Sequence, residues 1–365
     1  MSWKRLFARS LADNPRHFAA HSHHLWPDAS RDGQRAAWDD AERLADRKWG
    51  RVMGEIWPEA QGHVARELNL PDPATVVFAP NTHDLLVRIV SAIDARPVRI
   101  ATTAHEFHSF RRQAARWAEA GTASTTLDLA GDCDLIWASH VAFATGAVRD
   151  DLAALADRGR EGRPLVAIDG YHAFMAIPVD LAAIADRIFY LGGGYKYAMA
   201  GEGVGFAHCP PGRALRPAVT GWYAEFEDLS LSPGRVGYAP DARRMLGATF
   251  DPSGLYRFNS VQRMLAAEGL TTATISAHVA ALQARLLDAV GDRLGEVLNP
   301  LVEGQREHAR FLAFRSPRAP AIQRALAERG VTTDVRGDIL RIGFGLYHEA
   351  SDVDALVAIL EGVLA

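Results

Sequence analysis

Through the first two hundred residues, short apolar runs alternate with segments of helical period. Few architectures accommodate that alternation. Residues 75–79 are β-rich, and residues 82–93 place Leu85, Leu86, Ile89, Val90 and Ile93 on one helical face. The same pairing repeats downstream. Residues 98–101, 135–138, 164–169, 186–191 and 204–208 read as strands, and 108–119 and 150–157 as helices. Strands alternating with helices predict a three-layer α/β/α fold around a mostly parallel sheet. In such sheets ligands bind beyond the carboxyl ends of the strands, and Asp169 falls at one of those ends.

The pattern changes after residue 212. Residues 212–254 are rich in Pro, Gly and Asp and lack a period, as expected of loops over a site or an interface. From residue 256 to about 296 the chain is helical. A strand at 311–315, a helix at 320–329, two short strands at 332–335 and 339–342 and a helix at 351–364 predict a smaller α+β domain. A length of 365 residues suits about two domains. The expected division is a large domain over 26–254 and a small one built from 1–25 and 255–365.

Composition excludes several classes. With 48% hydrophobic and 23% charged residues the chain is an ordinary globular protein, neither disordered nor collagen-like. Forty basic against 44 acidic residues leave a net charge of −4, which gives no global grip on nucleic acid or an anionic membrane. Two cysteines, Cys133 and Cys209, cannot build a disulfide framework or an all-cysteine metal cluster. No secretory signal or spanning segment is evident, so the expected compartment is the cytoplasm. The 14 histidines include the cluster His21, His23 and His24. No metal-binding spacing surrounds it, so no metal is expected.

Chemistry concentrates in residues 164–205. One strand ends at Asp169, with His172 three residues on, and the next exits through Gly192-Gly193-Gly194-Tyr195-Lys196. A lysine placed beside an aspartate at adjacent strand ends invites Schiff-base chemistry. The aspartate suits pyridoxal 5'-phosphate, whose pyridine nitrogen takes an acidic partner. The helix start at Asn81, Thr82 and His83 offers backbone N–H groups to a phosphate. In the C-terminal part, the run Arg336-Gly-Asp-Ile-Leu-Arg341 offers arginines suited to bidentate capture of a carboxylate.

The run Asp169-x-x-His172, Pro178-x-Asp180, Asp186, Tyr195-Lys196 and Gly201-x-Gly203-x-Gly205 resembles the class V aminotransferase superfamily, pyridoxal-phosphate enzymes of fold type I. Within it the chain looks most like the kynureninase branch, although it is shorter than typical members. The resemblance implies that Lys196 carries the cofactor, Asp169 pairs with the ring nitrogen and His172 sits near Asp169 or the ring hydroxyl. It implies that Tyr195 reaches the phosphate or moves protons, that Phe107 stacks on the ring, and that Asn81, Thr82 and His83 hold the phosphate. Ser253 would reach the phosphate from a partner subunit, with Trp222 lining the same region. Arg341 would bind the substrate α-carboxylate, and His24 would lie on the substrate side.

The implied assembly is a homodimer with shared active sites, acting on a small amino-acid substrate. The implied reaction is hydrolytic Cβ–Cγ cleavage. The alternatives are amino transfer to a keto acid and a fold retained only for binding. Cysteine desulfuration, also found in the superfamily, normally needs a mobile cysteine in the C-terminal part, and none follows Cys209.

Overall fold

The computed structural model describes residues 2–225, 234–301 and 308–365. The stretch 226–233 of the predicted loop region lies outside the described residues. Seven strands form the main sheet: β1 (Val76–Ala79), β2 (Val98–Ala101), β3 (Ala123–Thr126), β4 (Leu135–Ser139), β5 (Leu165–Asp169), β6 (Ile188–Gly193) and β7 (Gly205–His208). Their order is β1-β7-β6-β5-β4-β2-β3. β2 to β6 run parallel, whereas β7 opposes both of its neighbours. The fold is therefore the predicted α/β class with a mostly parallel sheet.

The inner strands carry Leu165, Val166 and Ile168 and also Ile188, Phe189 and Leu191, all nearly or fully buried. Covered on both faces, such strands read as continuous apolar runs. Each buried Val, Leu, Ile or Phe contributes about 1.5–3 kcal/mol. The register pairs Ser139 with Asp169 and Asp169 with Leu191. This fixes Asp169 at the carboxyl edge of the sheet, one residue short of the level where β6 leaves through Gly192 and Gly193.

One side is covered by a helix pair, of which the first member lies outside the sequence expectations and the second within the helical stretch expected from residue 256. Asp28–Leu44 packs along Ser253–Ala267. Gly33 permits the approach, because a Cβ there would lie 2.6 Å from Tyr256 O. The Tyr256 hydroxyl then donates to Asp40 Oδ2 at 2.9 Å.

A second sheet holds β8 (Glu296–Val297), β9 (Phe311–Arg315), β10 (Asp334–Arg336) and β11 (Ile339–Gly343), in the order β10-β11-β9-β8. The chain start joins it: Phe18 N donates to Thr332 O, and Gly343 N to Phe18 O, each at 2.8 Å. Two apolar clusters form the core, and they interleave along the chain. Leu255, Phe258, Val261 and Ile275 pack in the large cluster and Val279, Leu282, Leu286 and Val290 in the small one, while Phe311, Ala313 and Tyr347 return to the large one. Ser253–Ala267 joins the large cluster because one of its buried faces belongs to the helix pair on the main sheet. Among the described residues no helix is long and apolar enough to cross a membrane.

Candidate functional site

A cavity of about 240 Å³ opens at the carboxyl edge of the main sheet. Its wall includes Asn81, Thr82, His83, Phe107, Asp169, His172, Tyr195 and Lys196. Eight of the twelve residues expected in the site are thus brought together by strand ends and the turns that follow them.

Lys196 leaves the glycine exit of β6 and is 4% exposed. Its Nζ lies 2.8 Å from His172 Nε2, 4.9 Å from the Tyr171 ring centre and 5.6 Å from that of Phe107. Burial lowers its pKa to about 7, and the field of Asp169 offsets this only in part. A lysine of that pKa holds a large neutral fraction near neutrality, as a nucleophilic amine requires. His172 is enclosed, and burial beside Lys196 pushes its pKa well down, so the ring is neutral. Asp169 keeps some surface toward the cavity but lies deep enough for burial to push its carboxyl up. Its Oδ1 accepts from the Tyr171 amide at 3.0 Å. Burial also pushes the Tyr195 hydroxyl up to about 12, which keeps it protonated.

The opposite wall is the start of helix Thr82–Ser91. Asn81 caps it, accepting from the Asp84 amide at 2.9 Å. That leaves first-turn N–H groups and the positive helix end facing the cavity. A Cβ on Gly205 would meet the Asn81 backbone at 2.5 Å, so this glycine lets the turn sit directly against β7.

The donor set can be tested against an aromatic, phosphate-bearing group. Three rings in the wall keep a buried nitrogen without a partner: His83 Nδ1, Trp137 Nε1 and His172 Nδ1. Buried polar atoms are rarely left unpaired, so these mark places for polar atoms of a ligand. Aromatic faces between the helix start and Lys196 suit a planar ring. The residues therefore fit pyridoxal 5'-phosphate: anion donors at one end, an amine at the other and a carboxylate at ring depth.

Four expected residues lie outside the cavity wall of their own chain. Arg341 is fully buried behind Phe143. Its Nη1 donates to Phe143 O at 2.6 Å, its Nη2 pairs with Asp334, and its guanidinium lies 4.5 Å from the Phe143 ring centre. His24 is enclosed by Phe7, Tyr197 and Tyr347, with Nδ1 on Leu25 O at 2.7 Å. The Ser253 hydroxyl donates to Asp251 Oδ2 at 2.9 Å and accepts from Arg257 Nη1 at 3.1 Å. Trp222 is 44% exposed and donates to Thr249 Oγ1 at 3.2 Å.

The cavity also recruits residues that motif reading passed over: Trp137, Ser139, Phe143 and Tyr171. Ser139 ends β4 and Phe143 follows it, as Asp169 ends β5 and Tyr171 follows it, so strand-end position was the available signal. Behind them Glu106, 1% exposed, accepts from the Ser139 and Thr103 hydroxyls, each at 2.6 Å. The Thr103-x-x-Glu106 spacing before a helix was its sequence trace. Both cysteines are free and buried at the far edge of the sheet. Cys133 precedes β4, and Cys209 follows the antiparallel β7.

Several known proteins are similar to this chain in part of its sequence or in fold. The family model of the Kynureninase C-terminal domain matches residues 275–360. A stretch of 116 residues is 35% identical to the isopenicillin N epimerase of Streptomyces clavuligerus. That stretch covers 30% of this chain and 29% of the relative, under a third of its length. Among solved structures, the apo cysteine desulfurase of Thermococcus onnurineus NA1 superimposes with a TM-score of 0.77 at 16% identity, over 100% of this chain and 99% of that one. The cysteine desulfurase CsdA of Escherichia coli gives 0.80 at 18%, over 99% and 97%. A C-DES mutant with glycine covalently linked to its PLP cofactor gives 0.80 at 16%, over 99% of both chains. The chain thus shares the α/β fold of these solved structures over nearly its whole length.

Proposed function

We propose that the protein is a pyridoxal-phosphate-dependent enzyme acting on an α-amino acid. The observation that carries this is the enclosed Lys196, poised near pH 7 and facing both Asp169 and the anion-binding helix start across one cavity. Lys196 would hold the cofactor through its amine, Asp169 through the ring nitrogen and the Asn81–His83 turn through the phosphate, with Phe107 against the ring. When bound, the cofactor supplies an electron sink for charge developing at the substrate Cα.

This chain's own residues do the rest. Lys196 Nζ would serve as the general base at that carbon. Neutral His172, 2.8 Å from Nζ, accepts a hydrogen bond from the protonated amine and so orients it. Tyr195, held protonated, is a donor. Phe143, Tyr171 and Trp137 narrow the cavity and keep water from the reacting centre. Arg341 would meet a substrate carboxylate only on release from Asp334 and the Phe143 carbonyl, which hold it behind Phe143.

The reaction we favour is kynureninase-like hydrolysis of a Cβ–Cγ bond. The match at residues 275–360, which includes Arg341, and the aromatic walls both support it. Incubation of the cofactor-loaded enzyme with kynurenine or 3-hydroxykynurenine tests it. Release of alanine and an anthranilate is expected, and unchanged substrate would refute the hydrolytic reading. A second reading, epimerisation at Cα, draws on the 35% identical stretch. It predicts solvent deuterium at Cα and loss of optical purity without cleavage. Desulfuration by a chain thiol is disfavoured, because both cysteines sit at the opposite sheet edge. We further infer a cytoplasmic homodimer, testable by light scattering of the purified protein.

A further inference from the structure

Next to the cavity, but outside its wall, lies a second group of buried polar side chains that the proposed reaction does not use. Arg310, just before β9, is 2% exposed. Its Nε donates to Ala176 O at 2.8 Å, and its Nη2 has no partner. The carboxylate whose field it feels, Glu67, is bonded instead to the Thr272 hydroxyl at 2.6 Å. A guanidinium does not shed its proton in a protein, so an enclosed one without a carboxylate calls for another counter-charge.

Tyr197 faces it. The Arg310 Cζ lies 5.3 Å from the Tyr197 ring centre, and the hydroxyl, on a residue 1% exposed, also lacks a partner. The same hydroxyl lies in the field of Arg341, whose Nε is likewise unpaired. His24 closes the group with its ring 6.3 Å from that of Tyr197 and its Nε2 unpartnered. While its Nδ1–H is held by Leu25 O this nitrogen accepts, and an adjacent anion would draw a proton to it and make it a donor. Asp334 is shared by Arg341 and Arg336, and Glu67 is bonded to Thr272, so among the described residues no carboxylate is in contact with Arg310.

We propose that Arg310 and the Tyr197 hydroxyl hold a small monoanion, a halide or a carboxylate, at the seam where the small sheet, the Lys196 loop and the N-terminal segment meet. The ion joins Arg310 of the small sheet to Tyr197 of the cavity loop, so it stabilises the closed arrangement of the two parts.

Crystals of the cofactor-loaded protein grown in bromide test this. An anomalous peak within hydrogen-bonding distance of Arg310 Nη2 and the Tyr197 hydroxyl is expected. In solution, melting temperature should rise saturably with bromide or acetate but not with sulfate at equal ionic strength. Arg310→Met and, as the gentler change, Tyr197→Phe should each weaken that response about tenfold or more in half-saturating bromide. A peak that alanine or acetate displaces identifies a carboxylate site, and one that persists identifies a standing halide site. A water or empty density at saturating bromide, or equal melting in bromide and sulfate, overturns the proposal.

Discussion

Lys196 and Arg341 are both buried cations near one cavity, yet their surroundings differ in kind. Lys196 has aromatic rings and a neutral histidine around it, and its nearest anion, Asp169, only partly offsets burial. Arg341 is clamped by Asp334 and a carbonyl and packed between Phe143 and Phe311. The difference follows from what each group does under desolvation. An ammonium gives up its proton and becomes a nucleophile, whereas a guanidinium stays charged and needs a fixed partner. Burial alone would raise Asp334, but His21 and Arg341 pull it down to about 2, so the clamp stays ionised.

Removing each cation's defining group sharpens the contrast. Lys196→Ala should abolish covalent cofactor attachment and lower turnover by at least roughly 10²–10⁴-fold through the lost proton transfer. Folding should be kept, as circular dichroism would report. Asp169→Ala should also remove turnover while leaving Lys196 able to attach the cofactor, a split that absorbance and assay together resolve. Breaking the clamp acts on stability instead. Asp334→Asn strands a buried guanidinium and should cost about 3–5 kcal/mol in denaturant melts. The double change Asp334→Leu with Arg341→Met should cost much less than the sum, and strict additivity would contradict the pairing.

The two cations also differ in their response to pH. The folded chain holds Lys196 near 7, and the unfolded chain returns it to 10.5. Between those values the unfolded state binds the extra proton, so apoprotein stability should rise with pH across that window, by an amount on the order of a few kcal/mol. Lys196→Met should remove that slope, and a slope unchanged in the variant would contradict the assignment. Arg341 contributes no slope there. The smallest effect is expected at Phe107. Phe107→Leu should weaken cofactor binding by about 0.5–1.5 kcal/mol, readable by equilibrium titration.

Legibility in the sequence followed the same divide. Strands β4, β5 and β6 were readable because both their faces are buried and their side chains are apolar throughout. β3, an edge strand reading Ala-Ser-Thr-Thr and largely exposed, gave no apolar signal. Lys196, Asp169 and His172 lie within 28 residues, so a strand–turn–strand reading brought them together. Arg341 was identifiable as a cation, but its enclosure depends on Phe143 from a turn almost two hundred residues away. His24 shows the same limit. Its expected substrate-side position rested on the family resemblance, while its contacts come from Phe7, Tyr197 and Tyr347, joined only by tertiary packing.

The account's central claim is that Lys196 is the covalent anchor of a pyridoxal-phosphate site. It is tested most directly by loading the purified protein with the cofactor, reducing it with borohydride and mapping the modified peptide by mass spectrometry. The account predicts a visible absorbance band that borohydride bleaches, with the reduced cofactor on Lys196 alone. A colourless protein, or label spread over surface lysines and unchanged in Lys196→Ala, would contradict it.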